Sequence, residues 1–221
     1  MVQSISNFFS MILNWLYSVV PNYPVDIILM TILLKLILEP LTYQQLRTSF
    51  VISRIQGELQ EIAKKYKNDP QQAAQEQSKI YKEHGVNPLI GCLLPLLQIP
   101  IFFGLYGSLV QNPNFKGLPF LWVPDISKPD PTWITVIAMV VVTYFQFKFT
   151  SQATTDPAMQ RQQNMMMWIF VIMIGWIARS FPFGVALYWM AFSLISILES
   201  FIIRKMVERQ FAEKNAAAAQ K

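Results

Sequence analysis

The chain has 221 residues, of which 53% are apolar and only 14% charged, with a formal net charge of +5. A soluble domain usually carries about 25% charged residues. The apolar residues here also fall in runs near the ~20 residues that a bilayer crossing needs. An ordinary soluble domain is thereby excluded, and the fold class expected is an all-α, polytopic membrane protein.

Residues 1–20 are apolar, but no Lys or Arg precedes the apolar part and no small-residue cleavage site follows it, so they do not read as a secretory signal. Gln3, Asn7, Ser10, Asn14 and Ser18 recur every three or four positions, with Ile5, Phe8, Ile12, Trp15 and Val19 on another face. That period predicts an amphipathic helix lying in the outer interface. Pro21 and Pro24 end it, and a first span is expected over 21–41. Within this span Lys35 lies ~15 Å in from Val25, close to the middle of a ~30 Å hydrocarbon layer. Glu39 follows one turn later, and Pro40 marks a kink or a helix exit.

Residues 42–87 turn charged and Gln-rich. Leu46, Phe50, Ile52, Ile55, Leu59, Ile62 and Tyr66 share one face of a soluble-type helix. Asn68-Asp69-Pro70 reads as a stop, an N-cap and an N1 proline opening a second helix that Gly85 closes. A cytoplasmic helical hairpin with a weak apolar seam is expected, and a solvated linker is the plainer alternative. Asn87-Pro88 opens a second span over 88–110, interrupted by Gly91, Pro95, Pro100, Gly104 and Gly107 and carrying Gln98 at mid-depth. A proline-rich loop leads to a third span (132–149), a polar link to a fourth (164–179), and Pro182 to a fifth (182–203). Together these form a membrane unit over 88–205, followed by a basic cytoplasmic tail over 206–221 whose last residues, from Ala216, read as disordered.

Five spans put the termini on opposite sides. With the N-terminus outside, 14 of the 18 Lys and Arg residues lie on inner segments, three lie outside, and Lys35 is in the membrane. The positive-inside rule therefore predicts N-out and C-in, with the hairpin cytoplasmic.

No nucleophile, base and orienting group occur together, no phosphate loop is present, and no metal-ligand spacing occurs. Cys92 is the single cysteine and His84 the single histidine, which excludes an internal disulfide and a His/Cys metal centre. The expectation is a protein that is not an enzyme and holds no cofactor. The strong chemical signal is the polar set at membrane depth: Lys35, Glu39, Gln98, Gln146 and Glu199. Intramembrane ionisable residues are functional by default. Lys35 and Glu39, four apart, face the same way and also allow mutual neutralisation as a bland reading.

Tyr81-Lys82-Glu83-His84-Gly85-Val86-Asn87-Pro88-Leu89, followed by Gly91-Cys92-Leu93-Leu94-Pro95-Leu96-Leu97-Gln98-Ile99-Pro100-Ile101-Phe102-Phe103, resembles the signature of the YidC/Oxa/Alb family of membrane protein insertases. Leu38-Glu39-Pro40-Leu41-Thr42 and Phe181-Pro182, Gly184 and Leu187-Tyr188-Trp189 fit the same pattern. The resemblance covers about residues 20–205 and is to the compact bacterial form, without a large external domain. It implies five transmembrane helices around a hydrophilic groove open to the cytoplasm and to lipid. It implies a multi-pass protein of the bacterial plasma (inner) membrane that inserts and helps fold other membrane proteins. A positive residue, usually Arg, sits in such a groove; Lys35 stands at that position, keeping the charge but losing the planar five-donor fork. Glu39, where the family more often has an apolar residue, is placed to neutralise it.

By the same resemblance, Gln98, Gln146, Trp189 and Ser193 join Lys35 and Glu39 as groove and client-binding residues. Pro100 and Phe102 in the second span and Met166 and Phe170 in the fourth form the hydrophobic slide for a client segment. The implied partners are nascent membrane-protein clients, the lipid bilayer, the ribosome and targeting machinery through the hairpin and tail, and the Sec translocon. A small ion-coupled transporter or channel using Lys35 and Glu39 is the alternative from the same charges, and a structural assembly subunit is a third.

Overall fold

The computed structural model describes residues 2–151 and 157–219. Eight α-helices run in order: α1 (Val2–Val19), α2 (Tyr23–Arg54), α3 (Gln56–Lys65), α4 (Pro70–Glu83), α5 (Ile90–Gln111), α6 (Ile134–Thr150), α7 (Pro157–Ala178) and α8 (Phe183–Ala219). Among the described residues there is no β-strand, only an isolated bridge between Phe120 and Val123. α8 packs between α2 and α6, α7 packs on α6, and α5 packs on α1 and α2.

α1 has three faces rather than two. Ser6, Phe9, Leu13 and Leu16, at helical spacing, are buried against the rest of the chain. Phe8, Met11, Trp15 and Val19 form an exposed apolar stripe, and Gln3, Asn7, Asn14 and Ser18 a polar one. The buried face meets α5 at Gly104 and Gly107, where a Cβ would run into the side chains of Ile5 and Ser6 respectively. Glycine there lets two helices approach closely, as is common between membrane helices.

α2 departs from expectation. Pro40 neither ends it nor marks its exit: the helix continues through Pro40 to Arg54. The reason is tertiary. α8 lies along α2 on both sides of the proline, and beyond it Tyr43 Oη donates to Gln210 Oε1 at 3.1 Å while Phe50 packs on Phe211 at 5.7 Å between centroids. The Arg54 guanidinium covers both of those rings. α8 also stays helical through Ala219, where a disordered end was expected from Ala216, in keeping with alanine being the strongest helix former; Gln220 and Lys221 lie outside the described residues.

The chain breaks at Ile55 instead, which divides the single helix expected over 46–66 between α2 and α3. Asp69 caps α4 by accepting from Gln72 N–H at 2.9 Å. α4 buries none of its residues, and α3 buries only Gln56 and Leu59, so the α3–α4 pair has little apolar seam. His84 is exposed. Asn87 accepts from Leu89 N–H at 3.0 Å, but α5 begins at Ile90 rather than at Pro88. α7 begins at Pro157, seven residues before the expected start at Asn164; of the polar link, residues 152–156 lie outside the described residues.

At the end of the bundle away from the hairpin, the loop between α5 and α6 is tied to both neighbouring helices. Asp130 accepts hydrogen bonds from Trp122 Nε1, from Thr132 N–H and Oγ1, and from Thr135 N–H and Oγ1. Phe183 N–H and Gly184 N–H, at the start of α8, donate to the carbonyls of Lys128 and Ile126. Donors that a helix N-terminus otherwise leaves unsatisfied are thus paired within the loop.

By length and composition, Phe183–Glu213 of α8 is the one described helix long and apolar enough to cross a membrane, and Leu96–Gln111 and Ile134–Thr150 are shorter apolar helices. α2 is long enough, but Asp26, Lys35 and Glu39 interrupt its apolar part. Large apolar side chains are exposed on the outer faces of α5 (Leu96, Ile99, Phe103), α7 (Trp168, Ile169, Ile172, Trp176) and α8 (Leu194, Leu198, Phe201). So much contiguous apolar surface has no place in water.

Candidate functional site

Lys35 is 3% exposed, in the middle of α2. Its Nζ donates to Ser196 Oγ at 2.6 Å and to Glu199 Oε2 at 2.7 Å, both on α8. It also lies 4.0 Å from the centroid of the Phe192 ring, close enough for a cation–π contact. Ser196 passes its own hydroxyl hydrogen to Phe192 O at 2.8 Å, so its oxygen faces the ammonium as an acceptor. Phe192, Ser196 and Glu199 reach the same point because spacings of three and four return to one helix face.

This pair borders a cavity of about 350 Å³. Gln98 of α5, Gln146 of α6, Phe170 of α7 and Trp189 of α8 line it with Lys35. Gln98 Nε2 donates to Tyr188 Oη at 2.7 Å, while its carbonyl oxygen is buried without a partner among the described residues. Trp189 Nε1 donates to Thr143 Oγ1 at 3.1 Å, which fixes the indole with its ring edge-on to Phe102 and stacked near Phe170. Toward the hairpin end of α2 the lining turns polar, with Thr42, Gln45, Ser49 and Thr150. The cavity thus combines aromatic and aliphatic surface, including Leu46 and Phe147, with a set of polar side chains and one buried cation.

Not every residue singled out from the sequence reaches this cavity. Glu39 is exposed and lies outside it, and the carboxylate beside Lys35 belongs to Glu199 instead. A relay between Lys35 and Glu39 therefore lacks its contact. Ser193 is fully buried, its hydroxyl without a partner among the described residues, and it does not line the cavity. Pro100 is half-buried on α5. Phe102 is half-buried among the rings of Phe103, Tyr106, Phe181 and Trp189. Met166 is exposed and borders a separate space of about 260 Å³ with Phe147, Ser151, Gln162 and Gln163. Glu199 stands out in the sequence as polar at depth, but Ser196 and Phe192 do not; the repeat Trp189, Phe192, Ser196, Glu199 was the signal that joins them. Among the described residues no group of three or more His, Cys, Asp or Glu could hold a metal ion.

The family model described as 60Kd inner membrane protein matches residues 15–210. Among curated proteins, a membrane protein insertase YidC from Wolinella succinogenes is 36% identical over 95% of this chain and 38% of its own length. One from Haemophilus influenzae is 36% identical over 90% of this chain and 36% of its own length. This chain therefore spans little more than a third of the relatives it matches. The crystal structure of an active YidC insertase with its first transmembrane domain resolved superposes with a TM-score of 0.64 at 28% identity, covering 89% of this chain and 45% of that one. On the extent of the family match, the chain belongs to the 60Kd inner membrane protein family.

Proposed function

We propose that the chain is a membrane protein insertase and chaperone. The observation that carries the reading is a buried Lys35 on a cavity that Gln98, Gln146 and Trp189 also line, inside a bundle with apolar outer faces. The names of the relatives support the same reading.

In this proposal α2, α5, α6, α7 and α8 cross the membrane around a hydrophilic groove that opens toward the α3–α4 hairpin. The hairpin is cytoplasmic, the N-terminus outside and α1 in the outer interface. A client's polar tail must pass ~30 Å of hydrocarbon, where each unpaired polar group costs several kcal/mol. A wet groove with a cation and amide groups at half depth divides that barrier. The client's apolar segment then leaves along the surface carrying Pro100, Phe102, Met166 and Phe170, and its transfer to lipid, worth about 25 cal/mol per Å² of apolar area, drives the step. The hairpin and the basic end of α8 are the surfaces offered to the ribosome, the targeting machinery and the Sec translocon. No bond is made or broken in the process.

The test uses a reconstituted insertion assay at matched protein levels. Lys35→Ala is expected to impair insertion of single-span clients with acidic outer tails, while Lys35→Arg retains it. Wild-type insertion by Lys35→Ala would refute the groove mechanism.

A further inference from the structure

We propose that Glu199 is a resident counter-ion, and that an acidic group on a client gains Lys35 by displacing it. The inference rests on the insertase reading above and adds to it how this chain selects its clients.

A bare cation in a cavity of low dielectric would draw any carboxylate from a distance. Lys35 is not bare: Glu199 Oε2 is 2.7 Å from Nζ, and the two charges form a compact dipole whose field falls off quickly. Recruitment by long-range attraction is therefore muted, and selection moves to short range, where one carboxylate is exchanged for another. The surroundings favour that exchange. The Glu199 side chain is 12% exposed against 4% for Lys35, so it is the wetter partner. It lines the cavity with Thr42, Gln45, Ser49 and Thr150, whose hydroxyl and amide groups can take up a released carboxylate. Ser196 Oγ stays on the ammonium at 2.6 Å and holds Lys35 in place while the carboxylates change over. Return of Glu199 then expels the client's tail, so that Lys35 does not trap it.

The full chain in lipid vesicles, given a single-span model protein with two aspartates in its outer tail and the same protein with both changed to asparagine, tests this. The readout is the ratio of acidic to neutral client inserted, scored by protease protection. Glu199→Gln bares Lys35 and is expected to raise the ratio roughly tenfold, the scale of a close charge pair at an interface. Glu199→Asp keeps the charge but shortens its reach, and is expected to raise the ratio part of the way; it decides the matter if the glutamine variant does not accumulate. A purely structural Glu199 would lower both clients together, and an unchanged ratio in both variants overturns the proposal. The two levels stay separable: loss of acidic-client insertion in Lys35→Ala with an unchanged ratio in the Glu199 variants refutes the counter-ion alone. Full insertion by Lys35→Ala refutes the insertase groove as well.

Discussion

The Lys35–Glu199 pair makes a sharp prediction about stability. At 2.7 Å the Coulomb attraction is ~6 kcal/mol at an effective dielectric of about 20. Desolvation of the two ions, several kcal/mol each, offsets most or all of it. The net worth of the pair is therefore small, while the cost of leaving one partner alone is large. Glu199→Leu, which strands the more deeply buried Lys35 ammonium, is expected to destabilise the protein by about 3–5 kcal/mol, and Lys35→Ala by less, because Glu199 is the wetter partner. Lys35→Met combined with Glu199→Leu removes both charges and fills their volume, and is expected to fall within about 1 kcal/mol of wild type or to exceed it. Thermal unfolding of the purified protein in detergent or nanodiscs, run as a double-mutant cycle, measures both. A double variant as unstable as Glu199→Leu would refute the argument, because the loss could not then come from an uncompensated charge.

Other expectations follow from particular contacts. Gly104→Ala forces a methyl against Ile5 and is expected to cost about 1–3 kcal/mol, with partial relief when Ile5→Ala is added; unfolding midpoints of the four proteins check it. Burial pushes the Asp130 carboxyl upward, but hydrogen bonds from Thr135, Thr132 and Trp122 outweigh it and hold the group below the usual carboxylate range. A depressed folded value means that this contribution is complete above the unfolded value, about 3.9, and is lost as pH falls through the folded one. Destabilisation from this group is thus expected to begin below about pH 4, and Asp130→Asn to remove that part of the pH dependence while lowering stability at pH 7; unfolding midpoints against pH read both. Tyr188→Phe removes the hydroxyl that accepts from Gln98 and is expected to lower stability by about 1 kcal/mol, measured by the same melts.

Lys35 was legible in the sequence because a charge within an apolar run is a signal carried by one residue. Its partner was not. Glu39 is the local candidate at four residues' spacing, whereas Glu199 is 164 residues away and reaches Lys35 only because α8 packs along α2. The helix through Pro40 was missed for the same reason. Local propensity argues for an exit at a proline, but the pairing of Tyr43 with Gln210 and Phe50 with Phe211 is long-range. The helical end of α8 was there to be read, since alanine is the strongest helix former. On α1, the polar stripe was readable as a period. The buried stripe of Ser6, Phe9, Leu13 and Leu16 was hidden because it borders an exposed apolar one, and hydrophobicity alone does not tell a protein-facing stripe from a lipid-facing one. Gln98, Gln146, Phe170 and Trp189 come from four helices, and only packing could bring them to one cavity with Lys35.

The most direct test of the central claim is site-specific photo-crosslinking from position 146, where Gln146 lines the cavity with Lys35, to ribosome-bound nascent chains of single-span membrane proteins. The account predicts crosslinks to the client's polar outer tail at intermediate chain lengths, which disappear once insertion is complete. Absence of any crosslink from position 146, under conditions where a probe at Phe102 captures the client, would contradict it.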